Sequence, residues 1–317
     1  MAKGACLFGI NRYENISPLY GCENDVENLA ALLSKNHDGS PNFNCRKFLS
    51  SQTRITRAEL RRLSEELFSK EGLDVALFYF AGHGAVTKSG SYLVCQDGEF
   101  DDEGMPMAEI VAKANASPAR EKIIIIDCCH AGAIDQFFNS AGNVPLSKGV
   151  SILAASRASE TSAEINRSGL FTTKLCDALA GGAADVIGGI NVAGTYAYLD
   201  EVLSIWEQRP VFKANVEKLV TLREAEHAVS KDKLRKLVTY FPQEDYEFPL
   251  DPSFEPDAEP NHPENEAIFA DLQRFRGARL LVPNGNEHMY YAAMKKLSCS
   301  LTPLGKFYWH RVKQDKI

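Results

Sequence analysis

Four short segments of the chain are apolar almost without interruption: GACLFGI (4–10), DVALFYFA (74–81), KIIIID (122–127) and GVSILAAS (149–156). A strand with one wet face alternates apolar and polar residues, so runs without alternation need cover on both faces. Helix-like stretches separate them. These are NDVENLAALLSK (24–35) with Asn24 as a candidate cap, TRAELRRLSEELFSK (56–70) and PMAEIVAKANA (106–116). LFTTKLCDALAGG (170–182), closed by its glycines, and TYAYLDEVLSIWEQ (195–208) follow later. With CRKFLS (45–50) as a further short strand, the order predicts an α/β sandwich: a mostly parallel sheet covered by helices on both sides.

The 317 residues have room for one large domain and a smaller one. A net charge of −7 argues against wholesale attachment to nucleic acid or anionic lipid. No apolar run reaches membrane-span length, and MAKGACLFGINRY lacks the pattern of a signal peptide, so a cytoplasmic location is expected. The eight cysteines include no CxxC pair and read as reduced thiols. Zinc is not expected at Cys128, Cys129 and His130, because adjacent strand residues face opposite ways and no second ligand pair follows.

The texture changes after the last helix. Residues 1–222 carry the alternating pattern, and 223–266 read as a helical extension and an acidic, Pro-rich linker. Within it, residues 242–266 hold nine acids, six prolines and no Lys or Arg, which predicts an extended segment without a core. Residues 267–317 are basic and aromatic and predict a small domain of two or three helices, one opening near Pro303. Its expected core is Phe269, Leu272, Tyr290, Leu297, Phe307 and Trp309. Its ending is faintly similar to the last helix and wing of winged-helix modules.

In an open parallel sheet, functional groups gather beyond the carboxyl ends of the strands. Two strands here end in reactive residues: ALFYFAGHG delivers His83 between glycines, and IIIIDCCHAG delivers Asp127, Cys128, Cys129 and His130. An imidazole beside a thiol can raise the thiolate fraction and return the proton to a leaving amine. Backbone N–H groups of Cys129 and Gly84 are the candidate oxyanion hole. Small residues beside His83 would let a substrate backbone come close.

These residues resemble the caspase-like cysteine peptidases, closest to the metacaspase and paracaspase branch in prokaryotic form. F-x-G-H-G after one strand and D-x-C-H-A-G after another carry the likeness, with His83 standing 46 residues before Cys129. Caspases themselves place the histidine about 50 residues upstream. GCENDVENLAALL (21–33) is similar to the family's C-x-N-D-x-x-x-L segment, and LAASRASETSAEINRSGLFTTKL (153–175) to its post-cysteine strand, turn and G-x-F-T helix. The resemblance covers about residues 4–222. It implies a caspase-like three-layer α/β/α sandwich and a Cys129–His83 dyad acting through a thioester acyl-enzyme, with no cofactor.

Alternation along the strand turns Cys128 to the face opposite Asp127 and Cys129, where a core role is expected. In the metacaspase and paracaspase branch the acid at the Asp127 position lines the S1 pocket. Asp25 matches a second S1 acid and Glu164 resembles a third, which implies cleavage of protein substrates after Arg in preference to Lys. Ala81 stands where some relatives carry serine in the wall of that pocket. Calcium-binding relatives have paired aspartates where this chain has Met107 and Ala108, so no metal is expected; Asp101, Asp102 and Glu103 are the nearest oxygen-rich alternative.

The implied role is a regulated protease in a bacterial signalling, defence or cell-death pathway, controlled by an upstream protease or a partner. The second reading is a catalytically quiet caspase-fold protein whose basic C-terminal module binds nucleic acid or a partner protein. Nucleic acid is otherwise not expected. The segment 134–150 reads as an exposed loop with one basic residue, Lys148, so slow self-cleavage is expected, with cuts falling instead near Arg235, Lys236 or Arg274.

Overall fold

The computed structural model describes residues 1–88, 90–99, 102–128, 145–155, 164–165, 168–204 and 210–317, without the side chains of residues 102, 103, 164, 165 and 168. Two compact units result: Met1–Ala184 with Gly189–Ala225, and Asp185–Gly188 with Glu226–Ile317.

The first unit opens with β1 (Lys3–Gly9), α1 (Cys22–Ser34), β2 (Asn44–Leu49), α2 (Arg57–Phe68) and β3 (Val75–Gly82). A small antiparallel sheet follows, made of β4 (Gly84–Thr87), β5 (Gly90–Glu99) and β6 (Asp102–Pro106). Then come α3 (Met107–Ala116), β7 (Glu121–Cys128), β8 (Val150–Ala154), and the paired short strands β9 (Glu164–Ile165) and β10 (Ser168–Gly169). The unit ends with α4 (Leu170–Asp177), β11 (Gly189–Asn191), α5 (Val192–Leu203), β12 (Val211–Asn215) and β13 (Thr221–Glu224). The main sheet runs β12-β8-β7-β3-β1-β2, and every pairing is parallel except β12 on β8. This is the expected sandwich with a mostly parallel sheet.

The isoleucine run shows why both faces need cover. Ile124, Ile126 and Cys128 enter one core with Leu60, Leu63 and Leu67 of α2 and Ile110 and Val111 of α3. Ile123 and Ile125 enter the other with Val26 and Leu29 of α1, Phe171 and Leu175 of α4, and Leu199 of α5. Burying four isoleucines contributes on the order of 10 kcal/mol before chain entropy is set against it.

Helix starts decide where functional side chains fall. Thr56 caps α2 as its position suggests, accepting the Glu59 N–H at 3.2 Å. Asn24 does not cap α1: the helix begins at Cys22 after Gly21. That places Asp25 in the first turn, on the buried side of the helix. The glycines expected to close α4 act through a π turn, Ala178–Gly182, in which Gly181 sits at φ +144°.

The second unit contains α6 (Lys231–Arg235), α7 (Leu237–Tyr240), β14 (Phe248–Pro249), α8 (Pro263–Gly277), β15 (Leu281–Pro283), α9 (Met289–Met294), β16 (Ser298–Leu301) and α10 (Pro303–Lys313). Its strands form an antiparallel sheet in the order β14-β16-β15. Thr302 caps α10, which opens at Pro303 as expected.

The extended-linker expectation for 242–266 is corrected here. Phe248 pairs with Cys299, the Leu250 N–H donates to the Leu297 carbonyl at 2.8 Å, and Leu250 and Phe254 are buried. Its acids meet the basic helix α10: Asp245 pairs with Lys306 and Glu244 with His310, the latter at 2.8 Å. The window's average composition is polar, but three well-placed apolar side chains and local charge pairing suffice to fold it. The core expectation holds for Phe269, Leu272 and Trp309, and Leu297 is partly buried. Tyr290 and Phe307 are instead 48% and 53% exposed. Arg235 and Arg274 lie in helices and Lys236 joins α6 to α7, pairing with Asp271, so none of the three is an open site for a protease.

Candidate active site

β3 and β7 lie side by side, with Gly82 opposite Cys128 and Ala81 opposite Asp127. His83 therefore leaves the sheet immediately after the last paired residue of β3. Its imidazole is held from the loop between β1 and α1. Nε2 lies 2.9 Å from the Ser17 carbonyl oxygen, and the ring packs on Tyr13 at a centroid distance of 4.8 Å. A carbonyl only accepts, so Nε2 carries a proton; in the neutral tautomer that this selects, Nδ1 is the acceptor nitrogen, the form a general base requires. The His83 backbone N–H donates to the Tyr13 hydroxyl at 2.7 Å. Burial keeps that phenol well above its ordinary range and therefore neutral.

Gly82 has a different reason from the one expected. A Cβ there would come within 2.7 Å of the Tyr13 hydroxyl and 2.9 Å of the Phe80 ring. The glycine lets Tyr13 reach the backbone of His83. Gly84, the expected oxyanion donor, opens β4 and is half-buried. Cys129, both the expected nucleophile and the second oxyanion donor, lies outside the described residues, as does most of the loop 134–150. Cys128 is fully buried among Ile124, Ile126 and Phe80, as strand alternation requires.

Two of the three expected pocket acids come together. Asp25 and Asp127 are 2% and 3% exposed, and both reach the start of α4. The Gly169 N–H donates to the two Asp25 carboxylate oxygens at 3.2 and 3.1 Å. A Cβ on Gly169 would lie 2.7 Å from Asp127 Oδ2 and 3.2 Å from Asp25 Oδ2, so these two oxygens are at most about 6 Å apart. Only glycine fits between them. The Thr172 hydroxyl donates to Asp127 Oδ2 at 2.7 Å, and the Tyr79 hydroxyl lies 2.6 Å from Thr172 Oγ1. The positive end of α4 favours both carboxylates. Glu164 opens β9 with its backbone paired to Gly169; its side chain lies outside the description.

Four other thiols are poor nucleophiles. Burial pushes Cys6 and Cys45 up to about 11, and Cys176 and Cys299 up to about 12. At the position where calcium-binding relatives carry an acid, Met107 is buried in the core beside α2. Among the described residues no group of three or more His, Cys, Asp or Glu could hold a metal. Asp101 lies outside them. No described helix is long and apolar enough to cross a membrane.

Tyr13, Ser17, Tyr79, Thr172 and Gly169 were not legible as site residues. Tyr79 reads as one more apolar position in DVALFYFA, and Ser17 contributes a carbonyl that any residue would supply. The G-x-F-T pattern points to the helix containing Thr172 but not to its partner.

A mostly parallel sheet between two helical layers, with an imidazole and paired acids at its carboxyl edge, defines a protein of the caspase type. The caspase-domain family model matches residues 2–221, and the chain belongs to that family of cysteine peptidases. No protein with a curated description matches. Among solved structures, caspase-1 from Spodoptera frugiperda aligns at 14% identity and a TM-score of 0.52, over 71% of this chain and 91% of its own. The Drosophila initiator caspase Dronc gives 14% and 0.51 over 71% and 84%. A Geobacter sulfurreducens protein gives 18% and 0.50 over 68% and 94%. At these identities the likeness is one of fold.

Proposed function

We propose that the chain is a cysteine endopeptidase that cleaves protein substrates after basic residues, Arg in preference to Lys. The observation that carries this reading is the pair of buried carboxylates, Asp25 and Asp127, flanking Gly169 beside the strand end that bears His83. Two unit charges at most about 6 Å apart repel by about 3 kcal/mol or more at an effective dielectric near 20. A bound guanidinium relieves that repulsion and donates to both carboxylates along its planar edge. A P1 aspartate would add a third negative charge.

In the reaction, Cys129 Sγ attacks the scissile carbonyl carbon while His83 Nδ1 takes the thiol proton. The C–N bond breaks, His83 returns the proton to the leaving amine, and a thioester remains. Water, deprotonated by His83, attacks the thioester; the acid product leaves and Sγ regains its proton. Backbone N–H groups of Gly84 and Cys129 are assigned to the oxyanion. Glu164 is retained as a third pocket acid.

We assign the enzyme to regulated proteolysis in bacterial signalling, defence or cell death, gated by an upstream protease or partner. The nucleic-acid reading of the C-terminal module loses support from its internal pairing: Lys306 with Asp245, His310 with Glu244, and Lys233 and Lys236 with Asp271. The test is labelling with an Arg-containing acyloxymethyl ketone followed by mass spectrometry. The adduct is expected on Cys129 and absent in Cys129→Ala and His83→Ala. An adduct on Cys128, or equal labelling of both variants and the wild type, would overturn the dyad.

A further inference from the structure

Of residues 134–150, Lys148 alone is Lys or Arg, so Lys148–Gly149 is the bond there that an enzyme cutting after basic residues can take. Both groups of that amide are already engaged. The buried Lys122 amine of β7 donates to the Lys148 carbonyl at 2.6 Å, and the Gly149 N–H donates to the Asn215 carbonyl at 2.6 Å. Gly149 stands at φ +82°, left-handed rather than extended, and a Cβ there would come within 2.0 Å of the Arg120 carbonyl oxygen. Its own carbonyl accepts the Lys122 backbone N–H at 2.7 Å. The preceding residues are held as well. Asn115 of α3 donates from Nδ2 to the Pro145 carbonyl at 3.0 Å and accepts the Ser147 N–H at 2.8 Å. Asn215, at the end of β12, donates from Nδ2 to the Leu146 carbonyl at 2.7 Å. The Lys148 side chain, by contrast, is mostly exposed and pairs with Glu217 at 2.7 Å. The group a protease would recognise faces outward, while the amide it would cut is tied down.

We infer that Lys148–Gly149 is a latent proteolysis site of the enzyme's own specificity, held closed by Lys122, Asn115 and Asn215. A peptidase takes its substrate extended, with backbone groups free to pair and the scissile carbonyl turned to the oxyanion donors. Here the carbonyl is engaged by Lys122 and the chain turns at Gly149. For the bond to be cut, residues 145–149 must leave α3, β7 and β12 together, and the rate follows the small population that has done so. Hydrolysis then adds one water across the bond, places a carboxylate on Lys148 and an amine on Gly149, and gives fragments 1–148 and 149–317. The chain therefore stays in one piece beside its own activity, and a partner that draws 145–149 off these residues exposes the site. The inference rests on the peptidase reading given above.

The test uses the full chain carrying Cys129→Ala as substrate, so that no molecule cuts itself, and reads the two fragments by mass spectrometry. Trypsin, which cuts after Lys and Arg whatever this chain's own chemistry, reports on the closed site alone. Its initial rate after Lys148 should be about a hundred-fold lower in the chain than in a free peptide of residues 141–154. Lys122→Met, which keeps the side chain's reach and deletes its donor, should raise that rate about ten-fold or more. Asn215→Ala, at an exposed position, should raise it about three-fold. Equal tryptic rates in chain and peptide, or a rate unmoved by both variants, overturn the inference. Active wild-type enzyme is then added to the Cys129→Ala chain carrying Lys148→Arg, which offers the preferred side chain. That chain should resist, and adding Lys122→Met should let it be cut. If trypsin cuts the Lys122→Met chain there and the enzyme does not, the closed site stands and the peptidase reading falls.

Discussion

Two of the molecule's buried carboxylate sites, one in each unit, differ in the donors they receive. In the second unit, Asp271 is 2% exposed and receives Lys233, Lys236 at 2.7 Å and the Tyr240 hydroxyl at 3.0 Å. Burial alone would raise its pKa, but these three hydrogen bonds outweigh it and hold the carboxyl below its ordinary range. Among the contacts of described residues in the first unit, Asp127 takes a neutral hydroxyl and Asp25 a backbone N–H. Two ammonium groups neutralise an acid; hydroxyl and amide donors orient one and leave its sign intact. The first arrangement ties α6 and α8 together. The second suits a site that receives a cation.

The largest expected effect breaks this comparison on the catalytic side. Asp127→Ala should lower kcat/KM for an Arg-P1 peptide by about a hundred-fold or more while leaving the second unit's stability unchanged. Hydrogen exchange across 226–317 read beside the kinetics checks both halves. Asp271→Asn should do the reverse. It should cost the second unit about 2 kcal/mol, below the usual figure for a broken buried pair because Lys236 is half exposed and rehydrates. Peptidase activity should stay within about two-fold of wild type, and a large loss of kcat/KM there would make the two acids functionally alike.

A smaller effect follows from pH. Because the folded Asp271 carboxyl is depressed, its contribution to stability is present above the unfolded value of about 3.9 and is lost as pH falls through the lower folded value. Protection of the second unit should therefore decline below about pH 4, and Asp271→Asn should flatten that decline. An unchanged acid profile in the variant would assign the decline to other carboxylates. The smallest effect expected is none: with Met107 buried at the ligand position, peptidase rate should not respond to a calcium chelator. A steep rise on adding calcium would point to Asp101, Asp102 and Glu103 instead.

The fold was legible wherever burial on both faces left an unbroken apolar run, as in β1, β3, β7 and β8. It was not legible in β4, β5 and β6, whose polar, glycine-bearing segment packs only part of itself, Leu93, Cys95 and Met105, against the core. The antiparallel edge strand Val211–Asn215 escaped notice because it is short and none of its residues is fully buried, with Ala214 and Asn215 exposed. In residues 242–266, charge and proline dominated the window and hid Phe248, Leu250 and Phe254. At the site, His83, Asp127 and Asp25 were visible because motif spacing carries chemistry-bearing side chains. Tyr79 and Thr172 were not, because their role comes from a diagonal across two strands and a helix start 45 residues beyond Asp127.

The most direct measurement is kcat/KM for three matched fluorogenic peptides that differ only at P1: Arg, Lys and Asp. Paired buried carboxylates at Gly169 predict rapid turnover of Arg, slower turnover of Lys and none of Asp, all abolished in Cys129→Ala. Faster cleavage of the Asp peptide than of the Arg peptide would contradict the account at its centre.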